Sequence, residues 1–335
     1  MTILRFILFS AFPVILFGQD KSTILSVRPH YGFIIKHSGK LSGLTDTKPF
    51  GIEINTTWQL MDETSWQYCY CYPRVGLTFN YSNFANPEIL GSSFALFPYV
   101  EPQINGGEKI SGFIKFGIGP VFLSNVFDSV YNPQNKFFST HISFIVQMAL
   151  GLHFRINEKI NLRFTGDFNH ISNGGIKNPN LGINYPTLGF GAEYVLNPLP
   201  YLERNKDKNI RLVPYNQRFD FLAFGTGKTA VKGQERYPVM GFTALYSYVF
   251  GRQQGVSAAI EYTFDYADRE EIRKLSLNDN LPVKDHKYLA INAGHELLLG
   301  KFNFYQQLGY YLYSPFKRRD RLYQRYGLKL PHKIN

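Results

Sequence analysis

Two residues whose types and spacing could do chemistry lie near the middle of this chain, His170 and Ser172. A serine hydroxyl becomes a nucleophile when a base takes its proton, and histidine, which titrates near neutral pH, is the usual base. Side chains two residues apart on a strand leave the same face, so this pair can converge. The spacing suggests nucleophilic catalysis, although a His-x-Ser sequence is common and also fits an interfacial histidine at an ordinary strand end.

The strand that carries the pair alternates between apolar and polar residues. Its apolar positions are Ile160, Leu162, Phe164 and Phe168, and its polar positions are Asn161, Arg163, Thr165, Asp167 and Asn169. His170 and Ser172 continue the apolar set, so we expect them on the apolar face. The strand then ends at a glycine turn and a polar loop that runs through Pro179 and Gly182.

A catalytic histidine also needs a partner that orients its far ring nitrogen. By alternation, Asp167 and Glu193 lie on the polar faces of their strands, opposite to His170. Asn184 lies on the same apolar face as Leu188. We therefore predict that Asn184 orients His170 through its amide oxygen, without the negative charge that stabilises an imidazolium.

The turn that follows the serine supplies candidate donors for an oxyanion. They are the side chain of Asn173 and the backbone N–H groups of Gly174 and Gly175. The two glycines would let the backbone approach a substrate closely.

Residues 1–18 have the pattern of a secretory signal, with a positive start at Arg5, an apolar core over 6–17 and a small Gly18. No later stretch contains 18 continuous apolar residues, so we expect no transmembrane helix. The formal charge of +11 favours an acidic partner or surface.

The two cysteines, Cys69 and Cys71, are separated by one tyrosine. On a strand they would share a face, and a disulfide between them would be strained. We predict that they are incidental, with metal binding as the alternative; otherwise the sequence indicates no metal site and no cofactor.

Segments of about ten residues with strand character recur along the whole chain, and only the signal has a helical pattern. They are 22–37, 49–60, 75–81, 93–104, 114–122, 137–156, 160–172, 186–196, 219–229, 239–250, 256–266, 288–299, 302–313 and 322–330. Residues 197–217 interrupt them with prolines and charges, as expected of a linker. The sequence thus predicts an all-β protein, an antiparallel transmembrane β-barrel of roughly 14 strands. Periodicity alone also fits a soluble β-sandwich, such as a secreted lectin.

The stretch from His170 to Asn184 resembles the signature of the outer-membrane lipid A 3-O-deacylases of the PagL type. That family has an H-x-S-N-[AG]-G motif, a following P-N-x-G loop and a catalytic glutamate; here they correspond to 170–175, 179–182 and Asn184. The resemblance implies an eight-stranded barrel over 19–200, a bacterial outer-membrane location and catalysis by His170 and Ser172. The asparagine at 184 departs from the family pattern and puts activity in question.

The resemblance implies lipid A or lipopolysaccharide as the substrate, held in outer-membrane lipid, and no nucleic-acid partner. Residues 201–335 are similar to the extra part of larger, acyloxyacyl-hydrolase-like relatives, and we expect them to widen the same barrel. The last strand ends without a terminal aromatic residue, so either 322–330 closes the barrel or the C-terminus is truncated. The alternative function is a barrel without catalysis, porin-like or structural, whose site has decayed.

Two basic clusters fit a partner that carries phosphates, or are ordinary solvated loop charge. One contains Lys317, Arg318, Arg319 and Arg321, and the other contains Lys206, Lys208 and Arg211.

Overall fold

The first unit of the computed structural model is a closed antiparallel β-barrel. The described residues are 20–37, 39–41, 43–206, 215–229, 236–279, 285–299, 302–315 and 321–329. The strands of the barrel are β1 (Lys21–Gly32), β2 (Phe50–Leu60), β3 (Arg74–Asn83), β4 (Ser92–Glu101), β5 (Gln103–Ile104), β6 (Ile110–Leu123), β7 (Ile142–Arg155), β8 (Ile160–Ser172) and β9 (Ile183–Val195). Each strand pairs with its neighbours in the chain, and pairing of β1 with β9 closes the ring. Because β5 only prolongs β4 beyond Pro102, the two count as one strand, and the ring has the eight strands that the resemblance implied.

The polarity of this barrel is inverted relative to that of a soluble protein. Along β8 the polar residues point inward and are buried, while Phe164 and Phe168 point outward and are exposed. The other strands repeat this pattern, with exposed apolar positions such as Leu150 and Leu188. An apolar outer face with a polar interior characterises transmembrane barrels, so the chain is not the alternative soluble sandwich.

Charged side chains fill the barrel interior as ion pairs. Arg163 contacts Glu101 and Glu193, and Arg74 contacts the same two carboxylates. In a second group, Arg28 and Lys115 share Glu53, and Arg28 also binds Asp167. These eight side chains are almost completely buried. Each charge therefore depends on its partner, because an unpaired buried charge is strongly unfavourable.

We predict that Arg163→Met destabilises the barrel by about 3–5 kcal/mol, because it leaves the charges of Glu101 and Glu193 with Arg74 as their one arginine partner, beside His153. The urea midpoint of the barrel refolded in phospholipid vesicles measures this. Lys159→Met, in an exposed turn, is the matched control. An unchanged midpoint for Arg163→Met would contradict the proposed dependence on pairing.

Both ends of the barrel are capped by side chains. At the end where β8 finishes, three loops turn inward, and Leu44, Phe84 and Phe137 pack in an apolar cluster with Ile171 and Tyr185 of the strands. At the opposite end, Trp66 of helix α1 (Glu63–Cys69) packs with Met61 and Tyr72. The interior is therefore occupied along its length.

The two cysteines form a disulfide, contrary to the sequence prediction. The prediction assumed a strand, but Cys69 is the last residue of α1 and Tyr70 adopts a left-handed conformation with φ 51°. This turn brings the two Cα atoms to 5.0 Å, within the range that a disulfide requires.

The second unit, residues 206–335, contains a separate six-stranded antiparallel sheet. Its strands are β10 (Gln217–Thr229), β11 (Arg236–Phe250), β12 (Gln254–Asp265), β13 (Lys287–Leu299), β14 (Phe302–Tyr313) and β15 (Leu322–Lys329). The sheet curls, so that Lys329 of the last strand contacts Asp220 of the first at 3.2 Å. Its inner face is polar and its outer face carries exposed residues such as Phe221 and Phe242.

Each of the predicted segments contains a strand, but their pairing differs from the expected single enlarged barrel. The first ring closes through β1 and β9, so β10–β15 form their own sheet. Helix α2 (Tyr266–Asp279) was not predicted from the sequence; Asp265 caps it by accepting a hydrogen bond from the N–H of Asp268 at 2.9 Å. In the described part of the chain, no helix is long and apolar enough to cross a membrane. The predicted signal, 1–18, lies outside the described residues.

Candidate active site

Strand β8 places His170 and Ser172 on the outer face of the barrel, as predicted from their parity. Both side chains are half-buried, whereas the intervening Ile171 points inward and is completely buried in the apolar cap. Because the Ile171 side chain packs in this cap, it anchors the backbone that carries His170 and Ser172 to the loops inside the barrel end.

Asn184 lies directly opposite His170 on the neighbouring strand β9. Its Oδ1 atom lies 2.7 Å from Nδ1 of the imidazole. An amide oxygen can only accept, so the histidine donates from Nδ1, and in the neutral ring Nε2 then carries the lone pair. The geometry therefore selects the tautomer that a general base requires. Asp167 and Glu193 point into the barrel, as their parity predicted.

Ser172 precedes the turn and lies close to Gly182 of the following loop. Among the hydrogen bonds of the described residues, none joins its hydroxyl to His170. A Cβ atom built on Gly182 would lie 3.0 Å from Cε1 of His170 and 3.4 Å from Cβ of Ser172. Gly182 thus lies beside both residues, in a space that leaves no room for a side chain. Hydrogen bonds of a catalytic pair often tighten only when substrate binds.

We predict that Gly182→Ala lowers esterase activity by about a hundredfold, because small displacements of reacting groups carry penalties of that order. The added methyl would press on His170 and on the carbonyl oxygen of Ile171 at 3.1 Å, at a backbone φ of +69° that disfavours side chains. Steady-state hydrolysis of a short-chain ester by the detergent-solubilised protein measures the effect. Gly251→Ala, also at positive φ and in open space but in the second unit, is the control; equal losses in both variants would indicate a general backbone effect.

Asn173 organises the loop after the serine. Its buried side-chain oxygen accepts hydrogen bonds from the N–H groups of Gly175 at 2.9 Å and Ile176 at 3.1 Å. Its amide nitrogen donates to Ser139 Oγ at 3.0 Å and to the Lys177 carbonyl at 2.9 Å. Both N–H bonds of the amide and the N–H of Gly175 are therefore engaged within the loop.

The loop between β6 and β7 also supports the site, which the sequence did not reveal. Its Lys136 and Phe137 carbonyls accept from the N–H groups of Leu181 and Gly182 at 3.1 and 3.2 Å. In the same loop, the N–H groups of Tyr131 and Val130 bind the carboxylate of Asp128 and lower its pKa. The contacts of Lys136 and Phe137 with Leu181 and Gly182 join residues far apart in the chain and leave no short motif.

In the described part of the chain, no group of three or more His, Cys, Asp or Glu side chains is arranged to hold a metal ion. Of the two basic clusters, Lys206 and Arg321 are exposed, while Lys208, Arg211, Lys317, Arg318 and Arg319 lie outside the described residues.

The closed ring and its apolar outer face place the chain among transmembrane β-barrel proteins. Two family models match it: "Lipid A 3-O-deacylase (PagL)" over residues 50–193 and "Acyloxyacyl hydrolase, C-terminal domain" over residues 217–333. The chain therefore belongs to the PagL-type deacylase family, extended by the C-terminal domain that the resemblance implied. The first match contains His170, Ser172 and Asn184. No curated protein matches the chain.

Several solved structures are similar to the chain. The outer membrane enzyme PagL is 18% identical, with a TM-score of 0.37 over 50% of this chain and 97% of that one. Neisserial surface protein A is 10% identical, with a TM-score of 0.37 over 52% and 99%. LpxR from Salmonella typhimurium is 10% identical, with a TM-score of 0.20 over 90% and 97%. The fold assignment rests on the strand pairing described above.

Proposed function

We propose that this protein is an outer-membrane serine esterase that removes an ester-linked acyl chain from lipid A. The observation that carries the proposal is the 2.7 Å contact between His170 and Asn184 on the outward face, with Ser172 on the same face of β8. Family membership supplies the substrate class.

The outward position of the site suits a lipid substrate. The apolar outer face would contact the membrane, and the site lies at the barrel end with the longer loops, 33–49 and 124–141. In outer-membrane barrels the longer loops are extracellular, on the side where lipopolysaccharide lies. A strand of 13 residues is about 43 Å long, which is enough to cross the hydrocarbon layer even when tilted.

The reaction is a two-step acyl transfer. His170 Nε2 takes the Ser172 proton as Oγ attacks the ester carbonyl carbon, and the same proton then goes to the departing sugar oxygen. Water, activated in turn by His170, hydrolyses the acyl-serine and releases the fatty acid. Asn184 keeps the imidazole in the required tautomer throughout. Since Asn173 and Gly175 are engaged in the loop, we assign the oxyanion contact to the N–H of Gly174 and a supporting role to the other two.

A porin-like channel fits the structure less well. A channel needs an open lumen, whereas here ion pairs and two capping clusters occupy the interior. The other alternative is a structural barrel whose site has decayed. The experiment described next distinguishes it from an active esterase.

The test is mass spectrometry of lipid A from cells that express the full chain, compared with cells that carry an empty vector. We expect a mass decrease equal to one ester-linked acyl chain, because the proposed chemistry cleaves one ester. Unchanged lipid A in cells whose outer membrane contains the folded barrel would overturn the proposal.

A further inference from the structure

His37, which follows β1 near the start of the first unit, contacts the loop between β8 and β9 near the end of that unit. Its Nε2 atom lies 3.0 Å from the carbonyl oxygen of Leu181, and its Nδ1 atom lies 3.2 Å from the carbonyl oxygen of Ile35. Carbonyl oxygens only accept, and a neutral imidazole carries a single N–H, which can serve one of these two contacts. The shorter contact joins segments 144 residues apart and is the one that can hold the loop.

The segment before His37 already runs along β9 beside the site. Beyond the end of β1, the N–H of Phe33 donates to Pro186 O at 3.2 Å, and the N–H of Ile35 donates to Asn184 O at 2.8 Å. The segment 33–37 therefore binds the backbone of the residue whose side chain orients His170. His37 extends this row of backbone contacts to Leu181, three residues before Asn184.

The peptide groups on either side of Leu181 are held from two directions. The N–H of Leu181 donates to Lys136 O at 3.1 Å, while its carbonyl accepts from His37. The next residue is Gly182, where an added Cβ would lie only 3.0 Å from Cε1 of His170. Movement of the Leu181 carbonyl would thus move the backbone that packs against the catalytic imidazole.

We propose that His37 is a positioning residue for the esterase reaction, which clamps the Leu181 carbonyl and thereby holds Gly182 against His170 and Ser172. The inference rests on the proposed function. His170 is held at Nδ1 by Asn184, and Gly182 lies beside its Cε1 with no room for a side chain between them. Removing the clamp leaves the nucleophile, the base and Asn184 in the chain but loosens their alignment.

The test compares two substitutions at one position in the full chain. His37→Phe keeps a flat ring but removes the hydrogen-bond donor, whereas His37→Gln keeps an N–H that can reach Leu181 O. We expect His37→Phe to lower kcat about tenfold with KM little changed, because orientation of reacting groups is impaired. We expect His37→Gln to retain most of the activity, since it restores the donor.

A second readout does not depend on turnover. A nitroxide on Lys177→Cys, at an exposed position of the loop, reports loop mobility; Cys69 and Cys71 are bonded to each other and do not compete for the label. We expect greater mobility with His37→Phe than with either His37 or His37→Gln.

The outcomes separate the two proposals. If the parent chain hydrolyses no ester, the proposed function fails, and the nitroxide spectra alone decide whether His37 clamps the loop. If His37→Phe keeps the parental kcat and mobility, the clamp is refuted. A folded His37→Gln that loses as much as His37→Phe also refutes it, because the donated hydrogen bond would then not be the cause.

Discussion

Ser172→Ala is expected to reduce deacylation of lipid A by at least about a thousandfold, because the reaction loses its nucleophile. The barrel should remain folded, since the Ser172 hydroxyl makes no hydrogen bond among the described residues and the side chain is only half-buried. Mass spectrometry of lipid A measures the loss, and the gel shift between heated and unheated samples reports the folded barrel.

Ser129→Ala, an exposed serine in the loop between β6 and β7, is the matched control for this variant. It should leave both the lipid profile and the gel shift unchanged. Deacylation that persists in folded Ser172→Ala would show that another group performs the chemistry.

The second large effect is expected from Asn184→Asp, which should raise kcat/KM by about a hundredfold. The two side chains have the same shape, so an aspartate oxygen can occupy the position 2.7 Å from Nδ1 of His170. Its negative charge would stabilise the imidazolium that forms as the serine attacks, which the neutral amide cannot do. Kinetics on a soluble ester with detergent-solubilised protein provide the comparison.

Asn184→Leu is the counterpart, of similar volume but without an acceptor, and should lower activity by about a hundredfold because the imidazole loses its orienting partner. Asn184→Glu tests the family residue, whose longer side chain must refit the same space. An active parent with a faster aspartate variant indicates a working Ser–His–Asn site. An inactive parent rescued by aspartate indicates a decayed one. No gain with either acid would contradict the assignment of residue 184 as the orienter.

The faces on which the candidate site residues lie could be predicted from the sequence because strand geometry is local. Alternation along β8 placed His170 and Ser172 outward and Asp167 inward, and the same rule on β9 selected Asn184 over Glu193. The cross-strand pairing of His170 with Asn184 depends in addition on the register between β8 and β9, which alternation within each strand does not fix.

The same reasoning failed where the chain leaves the strand pattern. Residues 63–69 form a helix started by Asp62, whose side chain accepts from the N–H of Ser65 at 2.8 Å, and the turn after it allows the disulfide. A helix of seven residues is too short to give a clear period. Helix α2 was missed because its sequence is rich in charged residues; among its residues with described side chains, Ala267, Asp268 and Ile272 are buried.

The sequence by itself determined the strands, the face on which each side chain lies, and the residues that could act as nucleophile, base and orienter, because all of these depend on a two-residue period. The tertiary structure decided which strands close the ring, how the interior charges pair and which loops hold the site. Closure between β1 and β9, and the contact of His37 with Leu181, join segments more than 140 residues apart. Such contacts depend on how the barrel brings distant backbone together, and no local pattern encodes them.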